Sequence, residues 1–140
     1  MIGIKTYYII AFLILSNISM FAQDTLNSEI VEQKSYQLYL DKNWSELIKF
    51  GNNSINKGFD YYYLQLRVGI AYYERKNYAL AEGHFKRALK YNTEDELSLE
   101  YLYYCYLFNG RNEDARLLSK QFNPSLAEKI GTNTQSNVGF

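Results

Sequence analysis

The sequence predicts an all-α protein, a solenoid of about three helix-turn-helix repeats followed by a short C-terminal helix. Three observations support this prediction: a pattern that returns every 34 residues, apolar positions at helical spacing, and a single proline among 140 residues. Proline removes a backbone donor and breaks helices, so its scarcity is typical of a helical chain. A period of this length is typical of solenoids built from paired helices.

Composition indicates one domain with a sizeable core. Apolar residues make up 47% and aromatic residues 17% of the chain, which is enough to bury a core in a domain of this length. The 15 basic and 15 acidic residues cancel, and neither sign is gathered into a block. We therefore expect no nucleic-acid partner and no charged membrane-surface footprint.

Residues 1–22 have the layout of a secretory signal peptide. Lys5 precedes an apolar stretch from Tyr7 to Leu15, and polar and small residues follow as far as Ala22. A membrane-spanning helix needs about 20 mostly apolar residues, and polar residues interrupt this run earlier. The ending FAQ resembles signal peptides of Gram-negative bacteria, so we predict cleavage after Ala22 and a periplasmic or secreted protein. An uncleaved membrane anchor is the alternative.

Residues 23–130 are predicted to form the helical domain, and residues 131–140 a polar tail or the start of a linker. Within the domain, three short segments mark the period, each beginning 34 residues after the one before. They are KNW at 42–44, KNY at 76–78 and GRN at 110–112. The same step relates Leu47 to Ala81 and Ala115, so apolar positions return in phase.

The middle unit shows the two helices of one repeat most clearly. Its first helix places Leu64, Val68, Ala71 and Tyr72 on one face, and its second places Leu80, Ala81, Phe85, Ala88 and Leu89 on one face. We expect these two faces to pack together. Gly69 and Ala81 allow the two backbones to approach closely, and Phe85 fills the space beside them.

Polar residues mark where helices begin. Three asparagines are predicted to cap the second helix of each pair, because an asparagine side chain accepts a bond from a first-turn N–H. They are Asn43, Asn77 and Asn112. The segment TEDE at 93–96 is predicted to cap the first helix of the third pair in the same way. Pro124 is predicted to begin the closing helix and Gly131 to end it.

Six residues of the middle unit resemble, in type and spacing, the signature of the tetratricopeptide repeat family. They are Val68, Gly69, Tyr72, Ala81, Phe85 and Ala88. The resemblance covers about residues 28–129, and the outer units depart from it: Ser35 and Tyr103 replace the glycine, and Gly51 and Ser119 replace the phenylalanine. It implies an exported bacterial right-handed solenoid that binds a peptide or protein segment in the hollow lined by the first helix of each pair.

The residues of those first helices that internal packing does not use form a tyrosine-rich surface, which is the candidate binding site. They are Tyr36, Tyr39, Tyr63, Leu66, Ile70, Tyr73, Glu74, Glu100, Tyr104 and Phe108. Tyrosine is favoured in recognition surfaces because it gives a large contact area at a small loss of entropy. The same face carries Glu32, Glu74 and Glu100 with Arg67 as its cation, so we do not expect a clamp for a C-terminal carboxylate.

The reactive side chains do not form a catalytic or metal-binding pattern. His84 is the only histidine, and we expect it on the solvent-facing side of its helix. Cys105 is the only cysteine, lies within YLYYCYLF, and is expected to be a buried core residue. With no second histidine and no phosphate-binding glycine pattern, we predict that the protein is not an enzyme and uses no metal, cofactor or small-molecule substrate.

The predicted function is therefore a protein–protein interaction scaffold in the bacterial envelope. Two alternatives stay open at this point. The chain is either the leading segment of a larger envelope or outer-membrane protein, or a homodimerisation module that buries its exposed aromatic face by self-association. In each case the partner is a protein or peptide whose identity the sequence does not give.

Overall fold

The structure, a computed structural model, describes residues 26–136 and forms seven α-helices, with no strand in that range. The helices are α1 (Ser28–Leu40), α2 (Trp44–Asn56), α3 (Tyr62–Glu74), α4 (Tyr78–Tyr91), α5 (Glu96–Phe108), α6 (Asn112–Ser119) and α7 (Pro124–Ser136). The all-α prediction is confirmed. The predicted signal peptide at residues 1–22 lies outside the described residues, as do the last four residues of the predicted tail.

Each helix packs against the next helix in the chain from α1 to α6. The odd-numbered helices also contact one another in order, α1 with α3, α3 with α5, and α5 with α7. Helix α2 therefore lies against both α1 and α3, and α4 lies against both α3 and α5. This arrangement places side chains of α3, α5 and α7 along one side of the molecule.

The positions that the period relates are equivalent in the structure. Leu47, Ala81 and Ala115 are all buried, each near the start of an even-numbered helix. Each pair therefore has a buried apolar residue at the same point of its second helix. The prediction that apolar positions return in phase is confirmed.

The turn between the two helices of each pair repeats with the same geometry. The left-handed residues are Lys42 (φ 52°), Lys76 (φ 60°) and Gly110 (φ 72°). In each turn the following N–H bonds to a carbonyl five residues earlier: Asn43 to Leu38 at 2.9 Å, Asn77 to Tyr72 at 2.9 Å, and Arg111 to Tyr106 at 2.8 Å. These bonds form a Schellman-type helix end, which satisfies carbonyls that the helix leaves unpaired.

Two of the three predicted asparagine caps are confirmed and the third is wrong. Asn43 accepts from the N–H of Glu46, and Asn77 accepts from the N–H of Leu80. Arg111 occupies the cap position of α6, and Asn112 is the first residue of that helix. The period itself explains the correction, because the residue 34 positions after Asn77 is Arg111.

The other helix ends confirm some predictions and correct two. Asp95 caps α5 by accepting from the N–H of Ser98 at 2.7 Å, so the cap lies two residues later than the predicted threonine. Pro124 begins α7 as predicted. Gly131 does not end α7, which continues to Ser136. Of the described glycines, only Gly58 and Gly110 adopt the positive φ that is typical of a helix end, and Gly131 is not one of them.

Close packing of α3 on α4 depends on a glycine, as the sequence predicts. A Cβ atom on Gly69 would lie 2.8 Å from Cε1 of the buried ring of Phe85. A second close approach was not predicted: a Cβ atom on Gly51 in α2 would clash with Cγ2 of Val68. The predicted packing role of Leu80 is wrong, because its side chain is 50% exposed.

Candidate functional site

An open groove of about 340 Å³ lies where α3, α5 and α7 meet. Its lining residues are Tyr73 and Glu74 from α3, Leu97, Glu100, Tyr101 and Tyr104 from α5, and Lys129 from α7. The row of odd-numbered helices brings these side chains together, since α3 and α7 contact α5 on its two sides. The groove combines three phenol rings, two carboxylates and one amine.

Four of the ten predicted surface residues line this groove, namely Tyr73, Glu74, Glu100 and Tyr104. The prediction missed three groove residues. Leu97 and Tyr101 lie seven and three residues before Tyr104, which places them on the same helix face, so helical spacing could have identified them. Lys129 belongs to the closing helix α7, and the 34-residue pattern does not indicate which face of that helix packs against α5.

Aromatic contacts hold the wall of the groove in place. The ring of Tyr73 meets the ring of Tyr101 edge to face, with centroids 4.8 Å apart. Tyr101 in turn stacks on the buried ring of Phe85 at 5.1 Å. Phe108, which is 57% exposed, lies 6.2 Å from both Tyr73 and Tyr104. The groove rings are therefore fixed to the core on one side and accessible on the other.

Two predicted surface residues are not on the surface. Leu66 and Ile70 are buried in the main hydrophobic core, together with Leu99 and Leu102 of α5. They were predicted to be exposed because they lie on the face of α3 that its partner helix α4 does not cover. Helix α5 covers that face, so neither residue can belong to an exposed binding surface.

The remaining predicted residues lie towards the N-terminal end. Tyr39 packs against Trp44, with ring centroids 6.1 Å apart. Tyr36 and Tyr63 flank the guanidinium of Arg67, at 5.0 Å and 5.5 Å from the two ring centroids. The space between α1 and α3 is thus occupied by the chain's own side chains, whereas the groove between α3 and α5 is open.

The electrostatics of the groove centre on Tyr101. Burial, followed by the nearby carboxylates of Glu74 and Glu100, raises the pKa of Tyr101 to about 12. Burial likewise raises the pKa of Tyr73. Both phenols therefore stay neutral in neutral solution. On the opposite wall, Glu100 accepts a charge-assisted hydrogen bond from Lys129.

A second polar cluster lies between α3 and α4 and includes His84, which is buried. The prediction that His84 faces solvent is wrong. Its Nδ1 lies 2.7 Å from Oε1 of Gln65, whose own Nε2 donates to Asp60 at 2.7 Å. The ring also stacks on Tyr72 at 5.3 Å. Gln65 is fully buried, and His84 is one of the side chains that pair its amide inside the fold.

The surroundings of His84 favour its neutral form. Nε of Arg87 donates to Oε1 of Gln65 at 3.0 Å, and Nη2 of the same guanidinium lies 3.1 Å from Nδ1 of His84, so this cation is in direct contact with both side chains. Burial, and then the positive charge of Arg87, lower the pKa of His84 to about 4, while Asp60 acts weakly in the opposite direction. The cluster is a structural one, with a neutral histidine joining two helices.

This cluster makes the stability of the fold depend on pH. In the unfolded chain His84 takes up a proton as the pH falls below about 6.5, whereas the folded chain keeps it neutral down to about pH 4. The stability that the neutral histidine contributes is therefore present above about pH 6.5 and is lost as the pH falls towards about pH 4. Between pH 7 and about pH 5, we expect the free energy of unfolding of the natural chain to fall by about 2 kcal/mol more than that of the His84→Asn variant.

Urea denaturation of both chains at the two pH values measures that difference. Asparagine is chosen because its amide can both donate and accept a hydrogen bond and has no proton to gain in this range. Any loss of stability from carboxylate titration is common to both chains and cancels. An identical pH dependence of the two free energies of unfolding would contradict the assignment of a neutral buried histidine.

Cys105 is buried, as predicted, and burial followed by the charge of Glu82 raises the pKa of its thiol to about 12.

Among residues 26–136, no group of three or more His, Cys, Asp or Glu side chains is placed to hold a metal ion. Within the same range, none of the helices has the length and apolar character needed to cross a membrane.

The sequence was compared with protein-family models and with curated proteins, and neither comparison gave a match.

Proposed function

We propose that the protein is a non-catalytic scaffold of the bacterial envelope that binds a peptide or protein segment in the groove between α3, α5 and α7. The observation that carries this proposal is the open groove itself, whose walls are three tyrosine rings and the partly exposed Leu97. Neutral phenols offer a partner both an apolar face and a hydroxyl that can bond to a peptide backbone.

We also propose that the helices form a right-handed solenoid similar to tetratricopeptide repeats. Two findings support this proposal: the left-handed turn residue recurs at Lys42, Lys76 and Gly110, and α1, α3, α5 and α7 contact one another in order. In an array of this kind each unit contacts its neighbours only, and the first helices of the pairs together line one surface. The groove lies on the surface that the odd-numbered helices share.

The test is the capture of a partner from envelope extract by the full chain, read by mass spectrometry. The groove variant is Leu97→Ala with Tyr104→Ala. Its matched control is Leu117→Ala with Tyr91→Ala, which removes the same atoms from side chains that are exposed on α6 and α4. We expect a partner that the natural chain and the control retain and that the groove variant loses. Retention by all three chains would place binding elsewhere.

Self-association is a second candidate function, which the exposure of Phe108 beside the groove favours. Aromatic surface of this kind is buried when two copies associate. Sedimentation of the full chain over a range of concentrations tests this candidate. A dimer that Phe108→Ala converts to a monomer would support it, and a monomer at every concentration would exclude it.

A further inference from the structure

We infer that the groove between α3, α5 and α7 accepts a basic side chain of the bound segment, with arginine the best fit. The inference rests on the proposed function and names the chemistry of the partner. Three observations carry it: the balance of charge at the groove, the arrangement of the tyrosine rings, and the way in which the chain binds one of its own arginines.

The charge at the groove is negative. Glu74 and Glu100 both line it, and Lys129 is its one cationic lining residue within the described chain. Lys129 is ion-paired to Glu100, while Glu74 is exposed and has no ion-pair partner among residues 26–136. One carboxylate is therefore available to a cation that enters the groove.

The rings supply the second contact that a guanidinium uses. A cation is attracted to the face of a tyrosine ring within about 6 Å of its centroid, and arginine makes this contact more often than lysine. Tyr101 and Tyr104 line the same groove as Glu74 and Glu100. A guanidinium placed in the groove against these rings is thus near a carboxylate as well.

The chain already holds an arginine in this way at its N-terminal end. Arg67 lies between the rings of Tyr36 and Tyr63, and its Nη2 donates to Oε1 of Glu32 at 2.6 Å. Its Nη1 also donates to Oγ of Ser35 at 2.9 Å and to the carbonyl of Glu32. The groove between α3, α5 and α7 has tyrosine rings and carboxylates as well, and none of its lining residues within the described chain is an arginine.

Lys129 indicates how a ligand would compete for the groove. The side chain of Glu100 is 14% exposed, whereas that of Lys129 is 56% exposed. An exposed lysine gains little from such a pair, because water screens the charge and the long side chain loses freedom. A partner's arginine that stacks on the rings can therefore displace the amine, and removal of Lys129 leaves a second carboxylate for the ligand.

The first experiment selects peptides from a random display library on the full chain and sequences those that bind the natural chain but not the Leu97→Ala/Tyr104→Ala variant. We expect arginine, and to a smaller extent lysine, to be enriched at one position. Affinities of the most enriched peptide are then measured by fluorescence anisotropy. Replacing its arginine by glutamine is expected to weaken binding by about tenfold, because a cation–π contact and a charge-assisted hydrogen bond are both lost.

Charge variants of the chain separate this inference from simple apolar binding. Glu74→Gln is expected to weaken the selected peptide by about fivefold, and Lys129→Met to strengthen it by about threefold. Glu29→Gln, on α1 and away from the groove, changes the net charge by the same amount and is expected to change affinity less than twofold. Circular dichroism of each variant checks that the helices are retained.

The outcomes separate the inference from the proposed function. Groove-dependent peptides without enriched basic residues would leave the scaffold proposal standing and overturn this inference. Equal effects of Glu74→Gln and Glu29→Gln would overturn it too. If no selected peptide depends on Leu97 and Tyr104, the proposed function fails as well.

Discussion

Replacing Phe85 with alanine is expected to lower the free energy of unfolding by about 3–5 kcal/mol, the range for a fully buried aromatic ring. The ring is completely buried, lies against Gly69 of α3, and stacks on Tyr101 of α5 with the two planes 9° apart. Its removal would leave a cavity between α3, α4 and α5, lined by Gly69 on one side and by the ring of Tyr101 on another. Denaturant unfolding of both chains measures the difference.

Phe108→Ala is the matched control, because it removes the same ring from an exposed position. We expect this substitution to change the free energy of unfolding by about 1 kcal/mol or less. Tyr101 also forms part of the groove wall, so Phe85→Ala is expected to weaken partner capture at temperatures where the chain remains folded. Similar losses of stability for both variants would mean that Phe85 is not the centre of the core.

Replacing Gly69 with leucine is expected to destabilise the chain by about 1–3 kcal/mol or more, because the site has no room for a side chain. The first atom of that side chain would already lie 2.8 Å from the ring of Phe85. The clash can be relieved only if α3 and α4 separate or the ring leaves its position. A lower melting temperature with unchanged helix content at low temperature is the expected observation.

Gly83 provides a control in the same helix pair. A Cβ atom there would have its nearest neighbour in a terminal nitrogen of Arg87 at 3.8 Å, which is ordinary contact. Leucine is a better helix former than glycine, so Gly83→Leu is expected to stabilise the chain by up to about 1 kcal/mol. The two substitutions therefore have opposite expected signs, and two changes of the same sign would contradict the packing of α3 on α4.

Features that depend on neighbouring residues could be predicted from the sequence. Asn43, Asn77 and Pro124 act at helix starts through groups within three residues, so their roles follow from local geometry. The contact between Gly69 and Phe85 is longer in range, yet the helical spacing of apolar residues on α3 and α4 predicts that the two residues lie on the faces that pack together. The helical spacing of apolar residues therefore predicts a contact that neither residue indicates by itself.

Features that depend on a third helix could not be predicted in the same way. Leu66 and Ile70 are buried by α5, and the pattern of α3 alone leaves that face uncovered. His84 is buried, with its ring stacked on Tyr72 and within hydrogen-bond distance of Gln65, which lies 19 residues earlier. A polar residue between apolar ones resembles a surface position until its partner is known, since hydrogen bonding decides whether it can be buried.

The candidate groove was predicted in part for the same reason. Tyr73 and Tyr104 were assigned to it from the helical spacing of α3 and α5. Lys129 was missed because α7 belongs to no complete repeat, and its contact with α5 is set by the apolar residues Leu126 and Ile130. Residues from such closing helices can be assigned to a site only when the three-dimensional packing is available.

The burial of Cys105 makes chemical modification a measure of local opening. A thiol with so high a pKa holds almost no thiolate at neutral pH, and a buried one is out of reach of a dissolved reagent. The chain contains one cysteine, so every modified molecule reports on the same position in α5. Under native conditions the rate of labelling therefore follows how often α5 separates from its neighbours, and a ligand bound across α3, α5 and α7 would slow it.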